Sequence, residues 1–199
     1  MLNELRLCTG RGSIDLRNPV PADVDMRDVC TNLSRIRRWN GAVDFTVDQH
    51  SRLVEAILRG KSCSAVTCLA GLLHDAHEYV TGDIAEPVLK MLHIENLCVN
   101  FTMQEIQDSI QNAINIKTGF HTSELRIYDV DFDAIHAADT EARACEVWWM
   151  LPESPMLDEL KARYQEPSKD ARAAALLLLY SDYSDFAEHL AAHNIEVEP

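Results

Sequence analysis

Leu72-Leu73-His74-Asp75-Ala76-His77-Glu78-Tyr79-Val80-Thr81-Gly82-Asp83 is the stretch on which the reading of this chain turns. An apolar helical run leads into two strongly polar residues, where a core helix would want Leu or Ala. Buried charge is costly unless it is paired or bound to a metal. Glu78 follows His74 by one helical turn, so the two share a face. Two readings stand: a metal site with a carboxylate beside it, or a helix whose polar face meets solvent. A His-Asp dipeptide alone does not choose between them in a chain with eight histidines and 32 acidic residues.

Working outward, the pattern is helical on both sides. The stretch belongs to a central apolar helix expected over about Ser62 to Val80 and stopped by Thr81-Gly82. Asp83 then reads as the cap of a short helix, with Glu86 at the capping-box position and Pro87 just beyond it. Upstream, Val29, Leu33 and Ile36 recur at helical spacing in a helix expected from about Asp25 to Trp39 and ended by Asn40-Gly41. A second helix starts at Thr46, where Gln49 completes a capping box; Leu53, Val54 and Ile57 share its face, and Gly60 closes it. Downstream, amphipathic segments cover about Phe101 to Thr118, Ile135 to Leu151 and Lys169 to His193. Residues 1–24 read as irregular, with Gly, Asn and Pro between Gly10 and Pro21. Period-two alternation is confined to Val130–Phe132, too short to matter. The expectation is one all-α domain over residues 1–199, with C-terminal helices in 152–199.

Composition narrows the function. The net charge is −14, and Arg35, Arg37 and Arg38 form the main basic cluster. A protein that grips long nucleic acid needs a basic face, because neutralised phosphates supply most of its affinity. A nucleic-acid polymer is therefore disfavoured, whereas a small anion in one local cationic pocket is not. Cys8, Cys30, Cys63, Cys68, Cys98 and Cys145 form no CxxC pair, which argues against a Cys-rich zinc site and for buried free thiols. The start of the chain shows no apolar signal segment, and the longest apolar run, Ala173 to Tyr180, is too short to span a bilayer. These features predict a protein of a reducing cytoplasm with no membrane partner.

His50, in the first turn of the second helix, and Asp139, on a helix rich in small residues, could complete a site. Taken singly, each also fits an ordinary surface position. Their order is what matters. His50, then His74-Asp75, then Asp139 resembles the H…HD…D signature of the HD superfamily of phosphohydrolases. His74 through Lys90, HDAHEYVTGDIAEPVLK, is similar to the same region of the bacterial 5′-deoxynucleotidases of the YfbR type and of small HD proteins encoded by phages. Leu33–Trp39 resembles the Arg-Trp helix of that group, and Asp48-Gln49-His50-Ser51 its histidine-bearing helix start. Ile14-Asp15-Leu16 with Pro19 and Pro21 is similar to the phage members. The resemblance covers about residues 14 to 150.

The resemblance implies an HD-domain helical bundle. It implies that His50, His74, Asp75 and Asp139 bind one divalent transition metal, such as Zn, Co or Mn, with further Mg accompanying a triphosphate substrate. Such a metal polarises a phosphate oxygen and activates a water. Glu78 and Asp83 match the family's acidic pair and take the roles of orienting the water and transferring protons. Arg38 and Trp39 match its substrate-contacting pair, a guanidinium fork for phosphate and an aromatic wall against the sugar. Lys90 and Pro87 are further substrate-side candidates. Without the resemblance, Trp39 reads as a hydrophobic plug at a helix end, and Asp83 needs no role beyond a cap. The implied substrate is a deoxynucleotide cleaved at the α-phosphate. A phage-type dATP triphosphohydrolase is favoured, acting in the host cytoplasm, with a 5′-deoxynucleotidase on dNMPs as the alternative and a homo-oligomer expected. The final Asp of the HDxxED string of guanosine-tetraphosphate hydrolases is absent, and no GYP follows the HD pair. A non-catalytic nucleotide-binding HD protein is the reading from another class.

Overall fold

In the computed structural model the described residues are 6–95, 100–119, 129–179 and 184–197. They form an all-α bundle with two small antiparallel ribbons. The helices are α1 (Met26–Leu33), α2 (Val47–Gly60), α3 (Ala65–Leu72), α4 (Glu78–Thr81), α5 (Glu86–Leu89), α6 (Met103–Lys117), α7 (Phe132–Trp149), α8 (Pro155–Arg163), α9 (Lys169–Leu178) and α10 (Ser184–Ala192). One ribbon pairs β1 (Arg6–Cys8) with β2 (Ser13–Asp15); the other pairs β3 (His93–Glu95) with β4 (Asn100–Thr102).

α2 is the hub, packed against α1, α3, α7, α9 and α10. Its start is the expected one: Thr46 and Gln49 close a capping box. Nearly every residue from Val47 to Leu58 is buried, including five that are charged or titratable or carry an amide. Each of these finds a partner inside the bundle, as burial demands. Asp48 pairs with Arg52 at 2.9 Å, Gln49 Nε2 donates to Leu178 O at 2.6 Å, and Glu55 accepts from Arg59 Nε at 2.8 Å. Close approach of α3 needs Gly71, where a β-carbon would lie 2.3 Å from Leu58 Cδ1.

Five expectations are corrected. The first helix ends at Leu33 rather than near Trp39; the chain from Ser34 onward folds back, with Val47 N–H donating to Ile36 O and Arg38 N–H to Phe45 O, each at 2.9 Å. The central helix is not continuous to Val80. It stops at Leu72, and residues 73–77 run through tight turns with three-residue hydrogen bonds, Ala76 to Leu73 and Glu78 to Asp75. Asp83 does not cap α5; that position belongs to Ala85. The N-terminal segment is an ordered hairpin that buries Ile14 completely. The last amphipathic segment is two helices, α9 and α10.

Trp148 and Trp149 lock the C-terminal helices onto α7. Trp148 Nε1 donates to Tyr164 O at 3.2 Å, and Lys161 and Arg172 lie over the two indoles. Cys30, Cys68 and Cys145 are buried free thiols and Cys63 is half-buried, but Cys8, on the edge ribbon, is exposed. Cys98 and His121 lie outside the described residues. Among the described residues no helix is long and apolar enough to cross a membrane.

Candidate metal centre

Three elements bring the sequence candidates together. His50 comes from the first turn of α2, His74 and Asp75 from the turns just past α3, and Asp139 from the middle of α7. One ligand atom each from His50, His74 and Asp139 lies within 4.8 Å of the others. His50 Nε2 is 3.1 Å from Asp139 Oδ1, and His74 Nε2 is 3.8 Å from the same oxygen. Asp75 adjoins this group, its Oδ2 3.1 Å from His74 Nε2 and 3.9 Å from His50 Nε2. Atoms each about 2.1 Å from a shared ion lie roughly 3–4 Å apart, so these spacings suit one cation.

The other ring nitrogens fix which face the histidines present. His50 Nδ1 is 2.6 Å from Glu146 Oε1, and His74 Nδ1 is 2.8 Å from Gly71 O. Both rings therefore aim Nε2 at the common point. Metal-ligating histidines are held in this way, by a carboxylate or a backbone carbonyl on the far nitrogen. His74 Nε2 is buried and makes no hydrogen bond despite its closeness to Asp75. A buried orphan nitrogen facing carboxylates is what a cation site presents when its residues are considered alone.

The groups of the site shift one another: burial lowers His74, but Asp75 and the Gly71 carbonyl more than offset it and raise its pKa. Burial and the Arg38 charge hold His50 down at about 4, so it stays neutral at pH 7, as a ligand must. Burial raises Asp75, but the neighbouring His74 and Arg38 more than offset it and hold its carboxyl well below the usual range. Burial and the Asp75 and Asp83 charges push Glu78 well above the usual carboxylate range, and its Oε2 has no hydrogen-bond partner. Asp139 also pairs with Arg143 one turn on, through Nε at 2.9 Å and through a second guanidinium nitrogen.

Glu146 was missed by sequence reasoning. It is fully buried. Besides His50 it accepts from Trp39 Nε1 at 2.6 Å and lies 3.5 Å from Arg38 Nε. Burial raises its carboxyl, yet Arg38 and His50 hold it at about 2. The available signal was spacing: Glu146 follows Asp139 by seven residues, two turns along the same face of α7.

Arg38 is buried to 7 % exposure, with Nη1 3.3 Å from Asp83 Oδ1 and 4.0 Å from Asp75 Oδ2. Asp83 thus faces the site through Arg38. Trp39 and Asn40 both adopt left-handed backbone, at φ 56° and 53°. Asparagine tolerates that region; a tryptophan there costs about 1–3 kcal/mol and persists only where its surroundings impose it. The surroundings here are the Glu146 bond and packing against the core. Lys90 and Pro87 sit exposed on α5, and Lys90 pairs with Glu86 at 2.6 Å. His77 is half-buried against Gln111, and His136 is exposed.

No protein-family model matches the chain. It is similar to an uncharacterized protein of Rhodobacter capsulatus, 32% identical over 120 residues, a stretch covering 57% of this chain and 57% of that protein. The match thus spans little more than half of either length.

Proposed function

We propose that the protein is a metal-dependent phosphohydrolase of the HD type, acting on a deoxynucleotide at its α-phosphate. One observation carries the reading. Two histidines, each pinned at Nδ1, turn Nε2 to a common point bordered by Asp139 and Asp75. His50, His74, Asp75 and Asp139 would hold the metal, which supplies Lewis acidity toward a phosphate oxygen and a water.

The chain's own groups do the rest. Glu78, its pKa raised by burial and the Asp75 and Asp83 charges and its buried Oε2 unpartnered, is suited to exchange a proton with the attacking water or the leaving oxygen. Asp83 fixes Arg38, whose remaining donors suit a phosphate oxygen. Trp39, held at its indole N–H, offers a fixed wall to the sugar, where a 2′-hydroxyl would be excluded.

Resemblance of the opening segment to phage proteins supports a triphosphate substrate, with deoxyadenosine triphosphate best and deoxynucleoside plus triphosphate as products. A second reading, phosphate release from a deoxynucleoside monophosphate, has its own support. Of Arg35, Arg37, Lys61 and Lys90, the cations the sequence offers for a β,γ-phosphate extension, three pair with carboxylates: Arg37 with Asp44, Lys61 with Glu141, and Lys90 with Glu86. Incubating the metal-loaded protein with each dNTP and dNMP and separating the products decides. Deoxynucleoside plus intact triphosphate supports the first reading, and activity confined to monophosphates the second. Stepwise loss from the γ end, or no turnover with any metal, overturns the proposal.

A further inference from the structure

A cavity of about 580 Å³ lies between the β1–β2 turn and the outer face of α1. That volume falls within the range of small-molecule sites. Arg27, Thr31, Ser34 and Arg35 follow one another at helical spacing and line its wall from α1 and the residues just past it; Arg11 comes from the hairpin turn. The opposite face of α1, through Val29, Cys30 and Leu33, is buried in the core.

The charge pattern is unusual for this protein. The chain carries a net −14. Arg6, Arg37, Arg38, Arg52, Arg59 and Arg143 each face a carboxylate. Among the described residues Arg27 and Arg35 face none. The carboxylate in the cavity wall, Asp28, is 4 % exposed and already engaged. It accepts from Thr9 Oγ1 at 2.7 Å, from the Arg11 N–H at 2.9 Å and from the Gly12 N–H at 3.1 Å, which fixes the turn that presents Arg11. The Arg27 and Arg35 guanidiniums against one hydrogen-bonded carboxylate leave the cavity locally cationic. No aromatic side chain lines it, so it has no surface on which to stack a base.

We infer that this cavity binds a small oligophosphate through Arg27 and Arg35, at a site separate from the candidate metal centre. Guanidinium forks match phosphate oxygens in pairs, and the Thr31 hydroxyl adds a donor. The ligand is either free oligophosphate or the phosphate tail of a nucleotide whose base stays outside. Asn32, in the cavity wall, donates its amide to Thr9 O at 2.8 Å and to Tyr79 O at 3.3 Å.

Calorimetric titration of the full chain carrying H74A, which silences the candidate metal centre, tests this with sodium tripolyphosphate and with dATP. Tripolyphosphate is expected to bind, more weakly at higher salt, and R27A/R35A in the same background to lower its affinity at least tenfold. Equal affinity for the two ligands assigns the site to free oligophosphate; dATP binding at least tenfold tighter, and still lost in R27A/R35A, assigns it to a nucleotide tail. Should the double variant fail to fold, phenylglyoxal labelling of the unsubstituted protein decides. Protection of Arg27 and Arg35 by tripolyphosphate supports the site. No binding, binding indifferent to R27A/R35A, or labelling indifferent to tripolyphosphate overturns it.

Discussion

Replacing Glu146 with glutamine should weaken metal binding although Glu146 touches no metal. Its two oxygens serve two donors: Oε1 faces His50 Nδ1 and Oε2 takes Trp39 Nε1, each at 2.6 Å. A glutamine side chain has one acceptor oxygen and one NH2, so one of the two buried N–H groups is left facing another donor. An unsatisfied buried donor costs about 1–3 kcal/mol. The negative charge 3.5 Å from Arg38 Nε is lost as well. Carboxylates behind a metal-bound histidine are typically worth roughly 10–100-fold in affinity, and that is the loss expected here. Glu146→Ala removes every partner at once and should cost about 3–5 kcal/mol, the range for breaking a buried charge pair. The assay is competition with a chromogenic chelator for Zn, Co and Mn, alongside urea denaturation of metal-free protein. Glu146→Gln with unchanged affinity for all three metals would refute the argument that Glu146 orients His50. Trp39→Phe is the control, since it removes one donor and leaves the His50 bond intact.

Acid stability should depend on Glu55. Burial pushes its pKa up, but hydrogen bonds from His189, His193 and Arg59 more than offset this and lower it from 4.5 to about 2. A depressed carboxyl stabilises the fold above its unfolded value and loses that contribution as pH falls from 4.5 toward 2. The amount is roughly 3 kcal/mol, and Glu55→Gln should flatten the acid limb of a denaturation series over that window; an unaltered limb contradicts the reading. Gly71→Ala should destabilise by about 1–3 kcal/mol in urea, because the added methyl group meets Leu58 across the α2–α3 contact; a neutral substitution would mean that contact relaxes freely. Trp39→Ala should narrow the preference for deoxyribo- over ribonucleotides in paired turnover assays, and an unsubstituted protein that treats ATP and dATP alike would remove Trp39 from that role.

The helical class and the α2 start were legible because both rest on local patterns, the apolar spacing of Leu53, Val54 and Ile57 and the Thr46–Gln49 box. The break at His74 was not. Leu73 through His77 are compatible with a helix, and only their tertiary neighbours pull them into tight turns. Asp83 reads as a cap because Asp often is one, yet Arg38, 45 residues earlier, claims its carboxylate. The Glu55–His189–His193 cluster was equally hidden, since it joins residues more than 130 positions apart. In the candidate centre, the order of His50, His74-Asp75 and Asp139 was readable. Glu146 was not, because its seven-residue spacing from Asp139 puts it on the same face of α7 without showing that the position is buried.

Metal content tests the central claim most directly. Purified full-length protein is exposed in turn to Zn, Co and Mn, dialysed, and analysed by mass spectrometry beside His74→Ala and Asp139→Ala, with circular dichroism confirming their helices. The account predicts about one retained transition-metal ion per chain for the unsubstituted protein, and loss of that ion in both folded variants. Unsubstituted protein that retains no more metal than the variants, with any of the three ions, would contradict it.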